Sequence, residues 1–241
     1  MLDSLLSQSD HEMEFMPIVP LGEDEMDEVE KTNLPKELPL IALRNTVLFP
    51  NVVLPITVAR DKSVKAIMEA SKTGKWIAVV AQKDINEENP GPDGMYQIGT
   101  LAKVVKHIKM PDGNLTVFIM GRLRIRIDNI NQQDPYFTAN VTYLEDHFPK
   151  DDSEFQALMS SIKDYSEKIA QQSPMGGGET GLMLRNIEHS SFLLHFVASN
   201  INAKLTDKQD LLEEENVKLR AQKLMTLLQS ELQLVELKAE I

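Results

Sequence analysis

The chain has 241 residues, of which 42% are hydrophobic and 26% charged, so its composition is that of a soluble globular protein with room for one or two cores. No apolar run approaches the roughly 18 residues that a membrane-spanning helix needs. Cysteine is absent, which excludes disulfides and thiolate metal sites.

The N-terminal segment holds most of the formal net charge of −12. Residues 1–30 contain ten Asp and Glu but neither Lys nor Arg, which leaves 27 acids and 25 bases in the rest of the chain. We predict that residues 1–35 form a disordered acidic tail, because they carry like charges and too few large apolar groups to offset the entropy of ordering. An interaction peptide around Phe15, Met16, Ile18 and Val19 is the alternative.

The same numbers bear on partners and location. Because the remainder of the chain is almost neutral, no nucleic-acid partner is expected. The N-terminus has no basic region followed by an apolar core, and it lacks the arginines of a transit peptide. We therefore expect a cytoplasmic protein without a membrane partner.

From Leu38 onward apolar residues alternate with polar ones, which is typical of half-buried strands. In residues 115–127 every odd position except Gly121 is aliphatic. A bulge is expected at Gly121, and Phe118 and Met120 on the even side predict that this half of the strand is covered on both faces. The sequence Pro-Asp-Gly-Asn at residues 111–114 predicts the turn of a hairpin.

One helix is predicted to interrupt the strands. Asp61 is expected to cap it and Gly74 to end it, and its apolar face holds Val64, Ile67 and Met68. Six strands with a single short helix predict a closed or nearly closed β-domain in this part of the chain.

After Pro149 the apolar period becomes helical. The β-domain is therefore placed at residues 36–148 and a helical domain at 149–241. The predicted features of the second domain are an apolar stripe from Phe155 to Ile169, a flexible joint at 173–178, a helix over 182–199, a capping box of Thr206 and Gln209, and a last helix from about Val217. Because that last stripe is too wide for a solitary helix, we expect the natural protein to continue beyond residue 241 or another chain to cover this face.

Motifs that suggest chemistry do not fit their context. Gly176, Gly178 and Gly181 have the spacing of a dinucleotide-binding loop, but a helix rather than a strand is predicted to precede them. Ser160 and Lys163 have the spacing of a hydrolytic pair, yet they lie on a predicted surface helix. The five histidines show no metal-ligand spacing. We predict no catalytic, cofactor-binding or metal-binding residue.

Arg122, Arg124 and Arg126 form a basic stripe along one predicted strand face. Such a stripe could bind a phosphate backbone, or it could pair with acids on neighbouring strands. The near-neutral domain and the lack of interleaved aromatic residues favour pairing.

The segment LPLIALRNTVLFP at residues 38–50, followed by Leu54-Pro55-Ile56, resembles the opening of the substrate-binding domain of the Lon family of ATP-dependent proteases. The likeness continues in AVVAQK at 78–83 and, more loosely, over residues 182–241. Further matching motifs are Ile98-Gly99-Thr100, Pro111-Asp112-Gly113 and Pro135-Tyr136-Phe137.

The resemblance implies an α+β protein, in which a PUA-like, mostly antiparallel β-barrel domain is followed by an α-helical bundle with a long C-terminal helix. It also implies a recognition and oligomer-assembly module for a hexameric AAA+ serine protease of protein quality control, with unfolded or tagged proteins and adaptors as partners. ATP, Mg²⁺ and the Ser-Lys dyad belong to parts of that family that this sequence does not match. The chain alone is expected to be no enzyme and to need no cofactor.

Five residues are the candidate substrate contacts. They are Val47, Leu48, Phe49 and Pro50 in the signature loop, with Met110 at the hairpin tip, and the same residues are equally consistent with interior packing. The alternative function is a stand-alone domain of this family that binds RNA or a small ligand through its barrel, for which strongly salt-dependent RNA binding would be the signature.

Overall fold

A computed structural model describes residues 33–173 and 177–241 of the chain. The predicted acidic tail falls almost wholly outside these residues, and so does the centre of the predicted joint. In chain order the strands and helices are β1 (Glu37–Leu43), β2 (Val53–Val58), α1 (Asp61–Lys72), β3 (Trp76–Ala81), β4 (Ile98–Lys109), β5 (Leu115–Gln132), β6 (Phe137–Leu144), α2 (Ser153–Gln171), α3 (Gly177–Asn186), α4 (Ser190–Asn200), α5 (Leu205–Glu213) and α6 (Val217–Glu240).

The six strands form one sheet in the order β2-β5-β4-β3-β1-β6, and β6 also pairs with β5. The long strand β5 makes this closure, because its first part pairs with β2 and its second part with β6 while β4 lies along its other side. All pairings are antiparallel except that of β1 with β3. The predicted closed, mostly antiparallel β-domain is confirmed.

The predicted bulge near Gly121 is present. Leu101 pairs with Leu123 while the next residue, Ala102, pairs with Gly121, so β5 holds one extra residue at this point. A Cβ at Gly121 would stand 2.2 Å from the carbonyl oxygen of Phe49. Only glycine lets the signature loop approach β5 this closely.

Three apolar cores hold the fold together. Two lie on opposite faces of the sheet, since Ile41 packs under α1 and the adjacent Leu40 packs within the other face. The third joins the barrel to the helices, and in it Phe49 packs with Phe155 and Leu194. The barrel and the helical bundle therefore share a core rather than meeting only at a linker.

Two of the local predictions for α1 are wrong and one is confirmed. Asp61 lies inside the first turn of α1, where Arg60 is the N-cap residue and makes no side-chain capping bond. Met68 is 38% exposed, and the buried face of the helix is formed by Ala66, Ile67 and Ala70. The predicted role of Gly74 is confirmed: the helix ends at Lys72, Gly74 has a φ of 91°, and the Lys75 amide donates to the Ala70 carbonyl oxygen over 2.7 Å.

The helical part also differs from the prediction. Residues 182–199 do not form one helix: the chain leaves the helix after Asn186 and resumes at Ser190, and the carbonyl oxygen of Ile187 accepts a 2.7 Å bond from the Lys163 ammonium. The capping box at Thr206 is wrong because Lys204 is the N-cap residue of α5. The carbonyl oxygen of Lys204 already accepts from the amides of residues 207 and 208.

Candidate functional site

The outer face of the sheet formed by β2, β5 and β4 carries apolar side chains in register. Met120 lies opposite Val53 on one side, and Phe118 lies opposite Pro55. Residues directly opposite in an antiparallel pair project from the same face, so these four form one surface. With Val105 and Ile108 of β4 they make up what we name the outer hairpin face: Val53, Pro55, Val105, Ile108, Phe118 and Met120.

This surface is open over the described part of the chain. Val105 is 51% exposed and the other five side chains are half-buried. None of the six packs against the three apolar cores, whereas the alternating Leu54, Val117 and Ile119 do. The prediction that Phe118 and Met120 would be covered on both faces is therefore wrong for residues 33–173 and 177–241. Exposed apolar patches of this kind mark sites of interaction.

Strand β2 forms one border of this surface. It has a single strand neighbour, β5, in the described sheet. An edge strand can add a further extended segment through backbone hydrogen bonds, with side-chain pockets giving preference. Pro55 removes one backbone donor from this strand, which limits indiscriminate pairing. The edge and the apolar face together suit an extended polypeptide.

Basic side chains border the outer hairpin face along β4. Lys103 lies opposite Met120 and Lys106 lies opposite Phe118. The Lys103 ammonium stands 5.4 Å from the ring centroid of Trp76, and both lysines are exposed. The surface therefore combines apolar contact area with positive charge.

The signature loop lies elsewhere in the molecule. Val47, Leu48, Phe49 and Pro50 are all buried, and the ring of Phe49 stacks on that of His195 with 6.2 Å between centroids. The alternative of interior packing thus describes these four side chains, and Val47 and Phe49 lie in the core that the barrel shares with the helices. Met110 is half-exposed at the hairpin turn, where its amide donates to the Asn114 carbonyl oxygen over 2.8 Å. Substrate contact by any of these five residues stays a prediction.

A buried ion cluster also connects the two parts. The Asp146 carboxylate, just after β6, accepts two 2.9 Å bonds from Arg220 of α6 and one 2.9 Å bond from Arg124 of β5. Arg124 also donates to the Leu212 carbonyl oxygen over 2.9 Å. Burial alone would raise the pKa of Asp146, but the hydrogen bonds and charges of Arg220, with the charge of Arg124, lower it below its usual value.

His195 completes this cluster as a neutral residue. It is fully buried, and burial together with the Arg220 charge lowers its pKa to about 3. Its Nε2 lies 3.0 Å from the Arg220 guanidinium, which can only donate, so Nε2 accepts and Nδ1 carries the proton. The cluster connects the barrel to the helices, and the side chains of both arginines are buried.

The basic stripe is therefore not an open phosphate-binding surface. Arg124 is 2% exposed, and Arg126 pairs with Asp128 at 3.1 Å. Pairing with an acid of a neighbouring segment is confirmed for Arg124, whose partner Asp146 follows β6, whereas the acid that pairs with Arg126 lies on the same strand. Sequence reasoning missed Arg220 and His195 altogether.

The chemical motifs carry no assembled site in the part of the chain that the structure describes. No group of three His, Cys, Asp or Glu there could hold a metal ion. Gly178 and Gly181 lie within α3, so they form no strand-to-helix phosphate loop. No helix among the described residues is long and apolar enough to cross a membrane.

Comparison with known proteins identifies the family. The family model for the ATP-dependent protease La (Lon) substrate-binding domain matches residues 37–230. The chain belongs to the Lon substrate-binding family. It is 42% identical to the Lon protease of Flavobacterium johnsoniae over 100% of this chain and 29% of that protein. With the Lon protease of Cytophaga hutchinsonii the identity is 39%, over 95% of this chain and 28% of that protein.

Solved structures of Lon N-terminal domains show the same fold. The N terminal domain of Mycobacterium avium complex Lon protease matches with a TM-score of 0.67 and 19% identity, over 80% of this chain and 98% of that one. The Lon N-terminal domain protein from Xanthomonas campestris matches with a TM-score of 0.57 and 18% identity, over 79% of this chain and 97% of that one. The α+β fold class is confirmed. The sequence corresponds to the N-terminal substrate-binding part of the Lon relatives rather than to their protease domain.

Proposed function

We propose that this chain captures unfolded or tagged polypeptides and adaptors for an ATP-dependent Lon serine protease, and that the outer hairpin face is the surface that contacts them. The observation that carries the proposal is a set of apolar side chains in register on a sheet face that the described chain leaves open. Because the chain belongs to a substrate-binding family, an open apolar surface of this kind supports a role in contacting substrate.

The chemistry of the surface supports this role. Unfolded polypeptides differ from folded ones in offering apolar side chains and unpaired backbone together. Phe118 and Met120 provide an aromatic ring and a flexible thioether that adapt to different partners. The edge of β2 provides backbone groups for an extended segment. Such contacts are weak and unselective, which suits a receptor for many substrates.

Weak binding by one copy is compensated by assembly. The proposed parent is a cytoplasmic hexamer of protein quality control, whose other parts use ATP and Mg²⁺ and cleave the substrate. Exposed Leu219, Leu234 and Leu237 on α6 supply apolar area for association between subunits. Several copies would then hold one substrate at the same time and raise its apparent affinity.

The direct test measures binding of fluorescently labelled, permanently unfolded casein by anisotropy. We expect micromolar or weaker affinity that tolerates salt, and roughly tenfold weaker binding for the double variant Phe118→Gln/Met120→Gln, because two apolar contacts of about 1 kcal/mol or less each are lost. The matched control is Ile85→Gln/Leu182→Gln, whose parent residues are 44% and 61% exposed and lie off this face.

Two results would count against the proposal. Unchanged affinity in the Phe118/Met120 variant would place the contact surface elsewhere. No detectable binding by the parent chain, even when it is carried in an assembled oligomer, would remove substrate capture itself.

A further inference from the structure

The backbone groups of β2 divide into two sets, because successive residues of a strand direct their N–H and C=O to opposite sides. The Gly121 amide donates to the Val52 carbonyl oxygen over 2.9 Å, and at the hairpin the Met110 amide donates to the Asn114 carbonyl oxygen over 2.8 Å. The odd residues in this part of β5 therefore face β2, and the register makes the even residues of β2 their partners. The odd residues of β2 direct their backbone groups to the free edge of the sheet. We name them the edge residues: Val53, Pro55 and Thr57.

The edge residues offer a defined set of hydrogen-bonding groups. Val53 and Thr57 each present an amide and a carbonyl oxygen, whereas Pro55 presents a carbonyl oxygen alone. Within the residues that the structure describes, no backbone hydrogen bond is made to these groups, and β5 is the only strand beside β2. Thr57 is exposed, and Val53 and Pro55 are half-buried. Two donors and three acceptors are therefore available along this edge.

The position of Pro55 decides which kind of strand suits the edge. Its missing N–H would point to the free edge rather than to β5, so the sheet itself loses no hydrogen bond. If a second copy of β2 paired antiparallel about this residue, proline would face proline and both central carbonyl oxygens would lack a donor. A different polypeptide with an N–H at that point satisfies the Pro55 carbonyl oxygen. The edge is therefore better matched to a foreign segment than to a copy of itself.

The edge residues also border the outer hairpin face, to which the side chains of Val53 and Pro55 belong. Residues directly opposite in an antiparallel pair project from the same face of the sheet. A partner residue opposite Val53 or Pro55 would therefore place its side chain on that face, about 5 Å from β2. The same partner residue directs its N–H and C=O to β2. Every second residue of the partner thus makes the backbone bonds and the apolar contact together.

We propose that a substrate segment joins β2 as a further antiparallel strand, with apolar side chains at every second residue on the outer hairpin face. The inference rests on the proposed function and names its substrate class: extended segments with alternate apolar residues and no proline at the apolar positions. Antiparallel pairing is the more stable kind for each residue, and it is how β2 already pairs with β5. Alternate apolar residues are typical of half-buried strands, so many proteins expose such segments when they unfold.

The test measures binding of the complete 241-residue chain to three forms of one fluorescein-labelled peptide by anisotropy. The peptide has seven residues, with leucine at the second, fourth and sixth positions and serine at the others. One form is unmodified, one is N-methylated at the three leucines, and one is N-methylated at the last three serines. We expect at least about tenfold weaker binding for the leucine-methylated form, because it loses the donors that face β2. The serine-methylated form should stay within about threefold of the unmodified peptide, because its methyl groups point away from β2.

The outcomes separate this inference from the proposed function. Equal binding of all three forms would overturn strand addition and leave the proposed function intact, because the side chains alone would then suffice. Weaker binding of the serine-methylated form alone would also overturn it, since a parallel partner donates from the intervening residues. Binding of unfolded casein without binding of any peptide would overturn the inference alone. Loss of casein binding as well would remove both.

Two substitutions at the edge should act in opposite directions on binding of the unmodified peptide. Pro55→Val restores an outward amide and keeps an apolar side chain, so we expect binding about threefold to tenfold tighter. Thr57→Pro removes an outward amide and should weaken binding by a similar factor. Both variants should unfold near the parent temperature, because neither removes a hydrogen bond to β5. Equal binding by the two variants and the parent contradicts strand addition. Sedimentation that shows a dimeric parent and a monomeric Thr57→Pro variant would place a second copy at the edge and overturn it.

Discussion

Arg220 and Asp146 form a two-fold hydrogen-bonded ion pair between the last helix and the end of the barrel, with both N–O distances at 2.9 Å. Their positions are 74 residues apart in sequence. The Arg220 side chain is fully buried, and Arg124 shares the same carboxylate from β5. A single carboxylate is thus shared by two buried cations, one from each structural part, and these three side chains together carry a net charge of +1.

Replacing Asp146 with alanine is expected to destabilise the chain by about 3–5 kcal/mol, because two buried arginines lose their counter-charge. Urea unfolding followed by circular dichroism measures the change. The matched control is Asp151→Ala at an exposed position, which should shift the free energy of unfolding by less than about 0.5 kcal/mol. Equal effects of the two substitutions would show that the cluster contributes little.

Gly121→Ala should destabilise the fold by about 1–3 kcal/mol, because the added methyl group meets the Phe49 carbonyl oxygen and that backbone cannot move without disturbing the shared core. Thermal unfolding compares it with Gly91→Ala, where nothing lies within 4 Å of the added Cβ. If Gly121→Ala unfolds at the parent temperature, the close approach of the signature loop is not required.

The buried histidine predicts a specific acid sensitivity. The unfolded chain binds a proton at His195 below a pKa of 6.5, whereas the folded chain does so only at about 3. The free energy of unfolding should therefore fall as the pH decreases within this window, by up to about 1.4 kcal/mol per pH unit. The lowered pKa of Asp146 acts in the same direction, but only below the ordinary aspartate pKa of 3.8.

The variant His195→Gln isolates this effect, since its amide oxygen can still accept from Arg220 but does not titrate. Urea unfolding between about pH 7 and pH 4.5 should show a shallower decline for the variant than for the parent, although the variant is less stable at neutral pH. Parallel curves for the two proteins would mean that His195 does not remain neutral in the fold.

The strands were predictable because their alternation records which side chains are buried. The odd positions of residues 115–127 face cores along most of β5, and the hairpin at Asp112-Gly113 has the expected positive φ at Gly113, 91°. Helix ends were less predictable. They depend on distant groups such as the Lys163 ammonium at Ile187, which no local pattern encodes.

The sequence did contain an indication of the buried ion cluster, because two of its polar residues lie among apolar ones. Arg220 lies on the apolar stripe of α6 between Val217 and Leu224, and His195 lies in an α4 whose central residues are buried on every side. A charged residue on an apolar stripe indicates a buried partner, although its identity as Asp146 depends on tertiary structure. The outer hairpin face was misjudged for a related reason, since an apolar strand face predicts burial but does not state what covers it.

Hydrogen exchange of the chain with and without an unfolded substrate, analysed by mass spectrometry, tests the central claim most directly. We predict that a saturating substrate slows amide exchange in residues 53–58 and 103–120, which hold β2 and the hairpin, because binding orders and covers them. Exchange in the residues around Asp146 and Arg220 should be unchanged. Protection confined to the helices, with none in the hairpin or β2, would contradict the account.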